Sequence, residues 1–180
     1  MKNLFFSFLC FVALVLPSTA QRISGTLSEG DIFPEIMFKT IDGELLKTEK
    51  LNGKVVFYNF YFALCQPCIA QKSGLNALYE TFHADSVVFI SVTFDSHETI
   101  IQFRNTHEIR FKIVSIGTAE IDSRFAITGF PTNFLVGIDG KIVAKKVGAT
   151  NLNADIEKDA LLAKFSPVIQ DELQKLKSKK

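Results

Sequence analysis

Cysteine is scarce in this sequence, and its scarcity limits the chemistry. There are three cysteines. Cys10 lies in an apolar N-terminal run, and the other two share one tetrapeptide, Cys65-Gln66-Pro67-Cys68. A zinc site needs four ligands, usually two such pairs or one pair with histidines. No second pair exists, and His83, His97 and His107 show no ligand spacing, so no metal is expected. A structural disulfide is a poor reading too, because so small a ring gains little loop entropy. Redox chemistry leads. Excess charge of one sign is also lacking: Lys and Arg number 20 against 19 Asp and Glu, a net charge of +1. Removing Lys2 takes this to about zero, and nothing argues for nucleic acid. Tryptophan is absent altogether. There is no internal repeat and no low-complexity segment. Beyond the N-terminal run, no stretch approaches the roughly 20 apolar residues that a membrane helix needs.

Met1–Ala20 reads as a secretory signal peptide. Lys2 gives the positive start, Leu4–Leu16 the apolar region, and Pro17-Ser18-Thr19-Ala20 a small-residue cleavage site before Gln21. Cys10 follows Leu9 inside the apolar region, the wrong place for lipid attachment. An exported, periplasmic protein is expected. Roughly 160 mature residues make one domain, 21–180, with a core of about 30–165. Residues 166–180, carrying Lys175, Lys177, Lys179 and Lys180, read as a basic, frayed tail. A monomer is expected.

The chain is organised around residues 55–82. Val55–Phe62 is a continuous rather than alternating hydrophobic run, with Asn59 its polar residue, as in a strand buried on both faces. After the cysteines, Leu75, Leu78, Tyr79 and Phe82 fall at helical spacing. The Cys-x-x-Cys therefore sits where a strand meets a helix, and the helix dipole there favours an anion such as a thiolate. Ahead of it, Ile36–Thr40 and Glu44–Lys47 read as a hairpin around Asp42-Gly43. Ser86–Phe94 reads as a second buried strand, parallel to the first across a βαβ unit. Then come a helix over Ser96–Thr106 capped by Ser96, a strand over Phe111–Ile116 and a helix over Thr118–Phe125. Asn133–Ile138 and Lys141–Val147 form a hairpin around Asp139-Gly140. Asp155–Phe165 is a closing amphipathic helix that Pro167 should break, with a further helix possible over Val168–Leu176.

Residues 55–82, with Cys65-Gln66-Pro67-Cys68 at their centre, resemble the redox motif of thioredoxin-fold proteins. The resemblance is strongest to the exported TlpA/ResA-like thiol–disulfide oxidoreductases and covers about Gly30 to Phe165. Gly129-Phe130-Pro131-Thr132 before a strand and the Asp139-Gly140-Lys141 turn carry it further, in the family's order and spacing. Ser96–Ile116 resembles the helix and strand that this family inserts. The resemblance implies an α/β thioredoxin fold: a mixed central β-sheet flanked by helices, with an N-terminal hairpin and a central helix–strand insertion. It implies Cys65 as the exposed attacking thiol, Cys68 as the buried resolving thiol and Pro131 as a cis-proline facing them. Leu64, Gln66, Pro67 and Phe130 would contact substrate, Phe130 by strand addition. No cofactor is implied beyond the Cys65–Cys68 disulfide. The implied partners are protein thiols and disulfides, apocytochrome c or another exported thiol protein among them, with a membrane thiol transporter as electron donor.

Three departures stand out. Leu64 replaces the tryptophan common before the first cysteine. The buried aspartate of thioredoxins, six residues before the first cysteine, is Asn59, and the glutamate that many TlpA/ResA-like members carry three residues after the second is Gln71. Neither amide can take a proton at neutral pH, so the usual general base for Cys68 is missing at both positions, and water or the departing thiolate is expected to serve. Lys72 reads as a solvated helix-face lysine. Two other functions compete. A peroxiredoxin-like peroxidase would carry proline and threonine seven and three residues before its reactive cysteine, where this chain has Tyr58 and Phe62. A redox-inactive binding module would not need an intact Cys-x-x-Cys.

Overall fold

The structure is a computed structural model that describes residues 25–84 and 87–178. The signal peptide expected over Met1–Ala20 lies outside the described residues. Two short strands, β1 (Met37–Lys39) and β2 (Leu45–Lys47), pair antiparallel as the expected lead-in hairpin. A turn of helix, α1 (Thr48–Leu51), leads to β3 (Val55–Phe60). The redox segment follows as α2 (Gln66–Ala70) and α3 (Lys72–Phe82). Next come β4 (Val87–Thr93), α4 (His97–His107), β5 (Lys112–Ser115) and α5 (Thr118–Phe125). The hairpin β6 (Thr132–Val136) and β7 (Ile142–Val147) and the long α6 (Ala154–Ser178) complete the chain.

The five-stranded sheet runs in the order β5-β4-β3-β6-β7. β3 is central: parallel to β4 in the register Val55↔Val87, and antiparallel to β6 in the register Phe60↔Thr132. All six of its residues are buried, as a continuous apolar run demands. Strand alternation divides its side chains between two cores. Val56, Tyr58 and Phe60 pack with Phe33, Phe125 and Phe134 on one face. Val55 and Phe57 pack with Leu75 and Leu78 of α3 and Leu161 and Phe165 of α6 on the other. Asn59 belongs to the second face and is the polar residue in an otherwise apolar strand. Ser96 caps α4 as expected, its hydroxyl accepting the Thr99 N–H at 3.2 Å.

The end of the chain corrects two expectations. Pro167 does not break the last helix, and residues 166–178 are not a frayed tail: α6 runs through Pro167 to Ser178. An interior proline costs a helix about 3 kcal/mol, since it removes one hydrogen bond and crowds the turn before it. Here the apolar face continues past the proline. Leu161, Phe165, Ile169 and Leu173, four residues apart, are all buried. Burying Ile169 and Leu173 is worth about 1.5–3 kcal/mol each, which offsets the proline. Glu172 also accepts the Ile138 N–H at 3.0 Å, tying this end of α6 to the β6–β7 turn.

Helices α3 and α6 meet at Gly74. A Cβ built there would lie 2.8 Å from Leu161 Cδ1 and 2.9 Å from the Lys158 Cα. Helix propensity alone favours Gly74→Ala by about 1 kcal/mol. The clash with backbone reverses the sign, because overpacking costs about 1–3 kcal/mol. Urea unfolding of Gly74→Ala should show net destabilisation, and a stabilised variant would contradict this packing.

Candidate active site

The sheet register assembles the site. β3 and β4 are parallel, so their C-terminal ends lie together; β6 is antiparallel to β3, so its N-terminal end joins them. Three segments converge there: Tyr61–Cys68 after β3, Phe94-Asp95 after β4, and Phe130-Pro131 before β6. Asp95 secures the first of these to the second. Its Oδ2 accepts the Ala63 N–H at 2.8 Å and the Thr93 hydroxyl at 2.7 Å. The Phe130–Pro131 peptide bond is cis, and the Pro131 carbonyl accepts the Gly148 N–H at 2.7 Å.

Cys65 and Cys68 are joined in a disulfide with their Cα atoms 5.1 Å apart. Cys65 is the N-cap of α2, and its sulfur accepts the Cys68 N–H at 3.2 Å. Pro67 sits in the first turn, where a missing N–H costs nothing. Apolar side chains pack around the pair: Tyr61, Ala63 and Phe103 share its cluster, with Phe62, Ile69, Ile109 and Phe130 against it.

One expectation is corrected here. Cys65 is not exposed in the disulfide: it is 4 % accessible, against 2 % for Cys68. The sulfurs share one bond inside that apolar cluster, so burial does not distinguish their roles in the oxidised form. The exposed surface is the rim. Leu64 is 86 % accessible, Gln66 is exposed, and Pro67 and Phe130 are half-buried.

The rim also contains two residues that sequence reasoning missed as candidate contacts. Phe62, Phe94 and Phe130, one from each converging segment, form a triangle of rings with centroids 5.5–5.8 Å apart. The available signal was that Phe62 and Phe94 each end an apolar strand run on the side of the redox motif.

Beneath the disulfide lies a buried polar chain. Asn59 and Asn133 face each other across β3 and β6. Asn59 Nδ2 donates to Asn133 Oδ1, and Asn133 Nδ2 donates to Gln71 Oε1, both at 2.9 Å. The Ser91 hydroxyl donates to Asn59 Oδ1 at 3.4 Å. Asn59 and Gln71, where a carboxylate was sought, are thus neutral members of one hydrogen-bonded chain. Gln71 sits at the joint between α2 and α3, which directs its side chain inward. Two buried polar atoms have no partner among the described residues: Gln71 Nε2 and the Tyr61 hydroxyl.

Lys72 is a further correction, for it is half-buried rather than solvated. Its Nζ lies 4.0 Å from the Phe103 ring centroid and 3.5 Å from the His107 carbonyl oxygen. Burial lowers its pKa to about 7.

The Asp95 anchor is directly testable. Asp95→Ala leaves the buried Ala63 N–H without its acceptor, a loss of about 1–3 kcal/mol. Hydrogen exchange at the Ala63 amide should then accelerate about 5- to 150-fold; unchanged exchange would show that Asp95 does not hold the loop.

The sequence profile of the AhpC/TSA family matches residues 30–145. The thiol-disulfide oxidoreductase ResA of Bacillus cereus is 28% identical over 116 residues, covering 64% of this chain and 67% of that protein. Among solved structures, a putative thiol:disulfide interchange protein DsbE from Chlorobium tepidum superposes with a TM-score of 0.69 at 21% identity, over 80% of this chain and 99% of that one. The thioredoxin domain of a thiol-disulfide oxidoreductase from Bacteroides vulgatus superposes with a TM-score of 0.63 at 25% identity, over 74% of this chain and 99% of that one. These matches agree with the β3–α2 disulfide and the mixed sheet: the chain belongs to the AhpC/TSA family and is a thiol–disulfide oxidoreductase of the thioredoxin fold.

Proposed function

We propose that this protein is an exported reductase of protein disulfides, acting through Cys65 and Cys68. The observation that carries the reading is the disulfide itself, at the start of α2 and walled by apolar side chains. Such a wall does little for a thiolate, which here gains mainly from the N-terminus of the helix. Strongly oxidising members of this chemistry owe their potential to a stabilised reduced form. An apolar surround favours the opposite, a dithiol that readily gives up its electrons. In the reaction, the Cys65 thiolate attacks a substrate disulfide and forms a mixed disulfide. Cys68 then attacks the Cys65 sulfur, releasing the second substrate thiolate and leaving Cys65–Cys68 oxidised.

The rim suits a protein substrate. Leu64, Pro67 and the three rings of Phe62, Phe94 and Phe130 offer an apolar rim with the Gln66 amide among them, and Phe130 would present its backbone to an extended chain. Pro131 would lie against the sulfurs, where the lack of an N–H leaves the thiolate without a competing donor. Export rests on the signal-peptide pattern of Met1–Ala20, with residues 21–180 as the mature domain. Re-reduction would come from a membrane thiol transporter, and apocytochrome c is one substrate the reading accommodates.

A peroxidase reading finds no support at the two positions that would serve it. The Tyr58 ring stacks on Phe33 with centroids 4.1 Å apart, in the core, and Phe62 has no hydroxyl.

Cys65→Ser should lower insulin-disulfide reduction to the uncatalysed level, whereas Cys68→Ser should accumulate a mixed disulfide on Cys65, visible as a mass adduct. Trapping through Cys68 instead would reverse the two roles. Peroxide consumption by the reduced protein should stay near background. N-terminal sequencing of the secreted protein should begin at Gln21.

A further inference from the structure

The chain carries no carboxylate at Asn59 or Gln71, yet the Cys68 thiol must lose a proton before it can resolve a mixed disulfide. A small cavity lies behind Cys68. Its volume is about 20 Å³, and its lining includes Cys68, Lys72, Tyr61, Asn59, Ser91 and Phe103. That is room for about one water, and a site that holds one must offer polar partners. Two of the lining groups are placed to do so. The buried Tyr61 hydroxyl has no partner among the described residues, and Lys72, whose Nζ lies 4.0 Å from the ring centroid of Phe103, lines the same space as that ring. Lys72 begins the helix that follows Gln71, so a residue with a titratable nitrogen shares a cavity with the cysteine that the two amides cannot serve.

We propose that the Lys72 amine accepts the proton of the Cys68 thiol, through one water in the cavity that both line, during resolution of the mixed disulfide. The inference rests on the thiol–disulfide reading above and assigns the proton acceptor for its second step. Cys68–SH and Lys72–NH2 become Cys68–S⁻ and Lys72–NH3⁺. The Cys68 thiolate then attacks the Cys65 sulfur. The Cys65–Cys68 bond forms, the bond from Cys65 to the substrate sulfur breaks, and that sulfur leaves with the electron pair as a thiolate. The pair of cysteines is oxidised by two electrons and the substrate disulfide is reduced to two thiols. Half-buried Lys72 returns its proton to solvent.

The surroundings fit this role. No carboxylate lies within ion-pair distance of Lys72 among the described residues. Burial lowers its pKa to about 7, so a large share of the amine is free near neutrality. The charged and titratable groups around it come from three elements. His107 of α4 is held below its usual range by burial and then by the Lys72 charge. Tyr61, after β3, is raised by burial and by Asp95, and lowered by Arg104 of α4. The phenol therefore stays protonated across the working range and can donate to the water or to the thiolate. The sign follows: as pH rises through about 7, Lys72 loses its proton and becomes able to accept one, so resolution speeds up.

The test uses the reduced protein mixed with glutathione disulfide, quenched with acid at successive times. The amount of protein–glutathione mixed disulfide separates formation from resolution. Lys72→Met and Lys72→Arg are compared with the parent protein from pH 6 to 9.5. Without the amine, Cys68 titrates as a buried thiol, at or above the free value of about 8.5. Both variants should resolve at least about tenfold more slowly at pH 7 and converge on the parent at high pH, with formation changed less than about twofold. Arginine keeps the charge but cannot accept a proton, so rescue by Lys72→Arg would overturn the proposal in favour of charge alone. A parent-like rate in Lys72→Met would overturn it outright. Should either variant lose the formation step, the parent profile decides: resolution climbing through about pH 7 supports the proposal, and resolution climbing only above about 8.5 contradicts it. Failure of the parent to form any mixed disulfide would instead count against the functional reading.

Discussion

Everything at the site depends on the pairing of β3 with β6. That antiparallel register, Phe60 against Thr132 and Asn59 against Asn133, puts the residues that follow β3 beside the residues that precede β6. Cys65 and Phe130 are far apart in sequence and share one cluster because two strands run in opposite directions. The parallel pairing of β3 with β4 adds Phe94 and Asp95 at the same end. A slip of one residue in β6 would turn its side chains to opposite faces, breaking the Asn59–Asn133 bond and moving the rim. The register is held by β3 being buried on both sides, with Tyr58 and Phe60 in one core and Phe57 in the other.

The site combines a dry front with a polar back. In front, Phe62 and Phe130 pack with the disulfide cluster, Phe94 joins their rings, and Leu64 projects. Behind, Ser91, Asn59, Asn133 and Gln71 form a chain of neutral groups. Buried neutral amides pair with one another, all but Gln71 Nε2, without the cost of an unpaired buried carboxylate. The consequence is that the proton on Cys68 needs another destination, and Lys72 lines a cavity with Cys68.

Much of this was legible in the sequence, for identifiable reasons. The continuous run Val55–Phe60, the helical spacing of Leu75, Leu78 and Phe82, and the Cys-x-x-Cys between them specify a strand, a helix and their junction. Proline before a strand flagged Pro131. What escaped was set by tertiary packing. Pro167 obeys local propensity only until the buried face of Ile169 and Leu173 outweighs it. Lys72 looks solvated in sequence because nothing nearby reveals that Phe103 and His107, some thirty residues on, cover it. The family resemblance implies an exposed Cys65. In the disulfide its sulfur is instead bonded to Cys68, and the pair packs with Tyr61, Phe62, Phe103 and Phe130.

The central claim is that the apolar setting of the pair makes it a reductant. The most direct measurement is the Cys65–Cys68 reduction potential, from equilibration against a series of thiol–disulfide buffers. The account predicts a value on the reducing side, nearer the roughly −270 mV of thioredoxin than the roughly −120 mV of the strong oxidant DsbA. A value near that oxidising end would contradict it, since it would mean that the reduced thiolate is strongly stabilised in spite of the apolar wall.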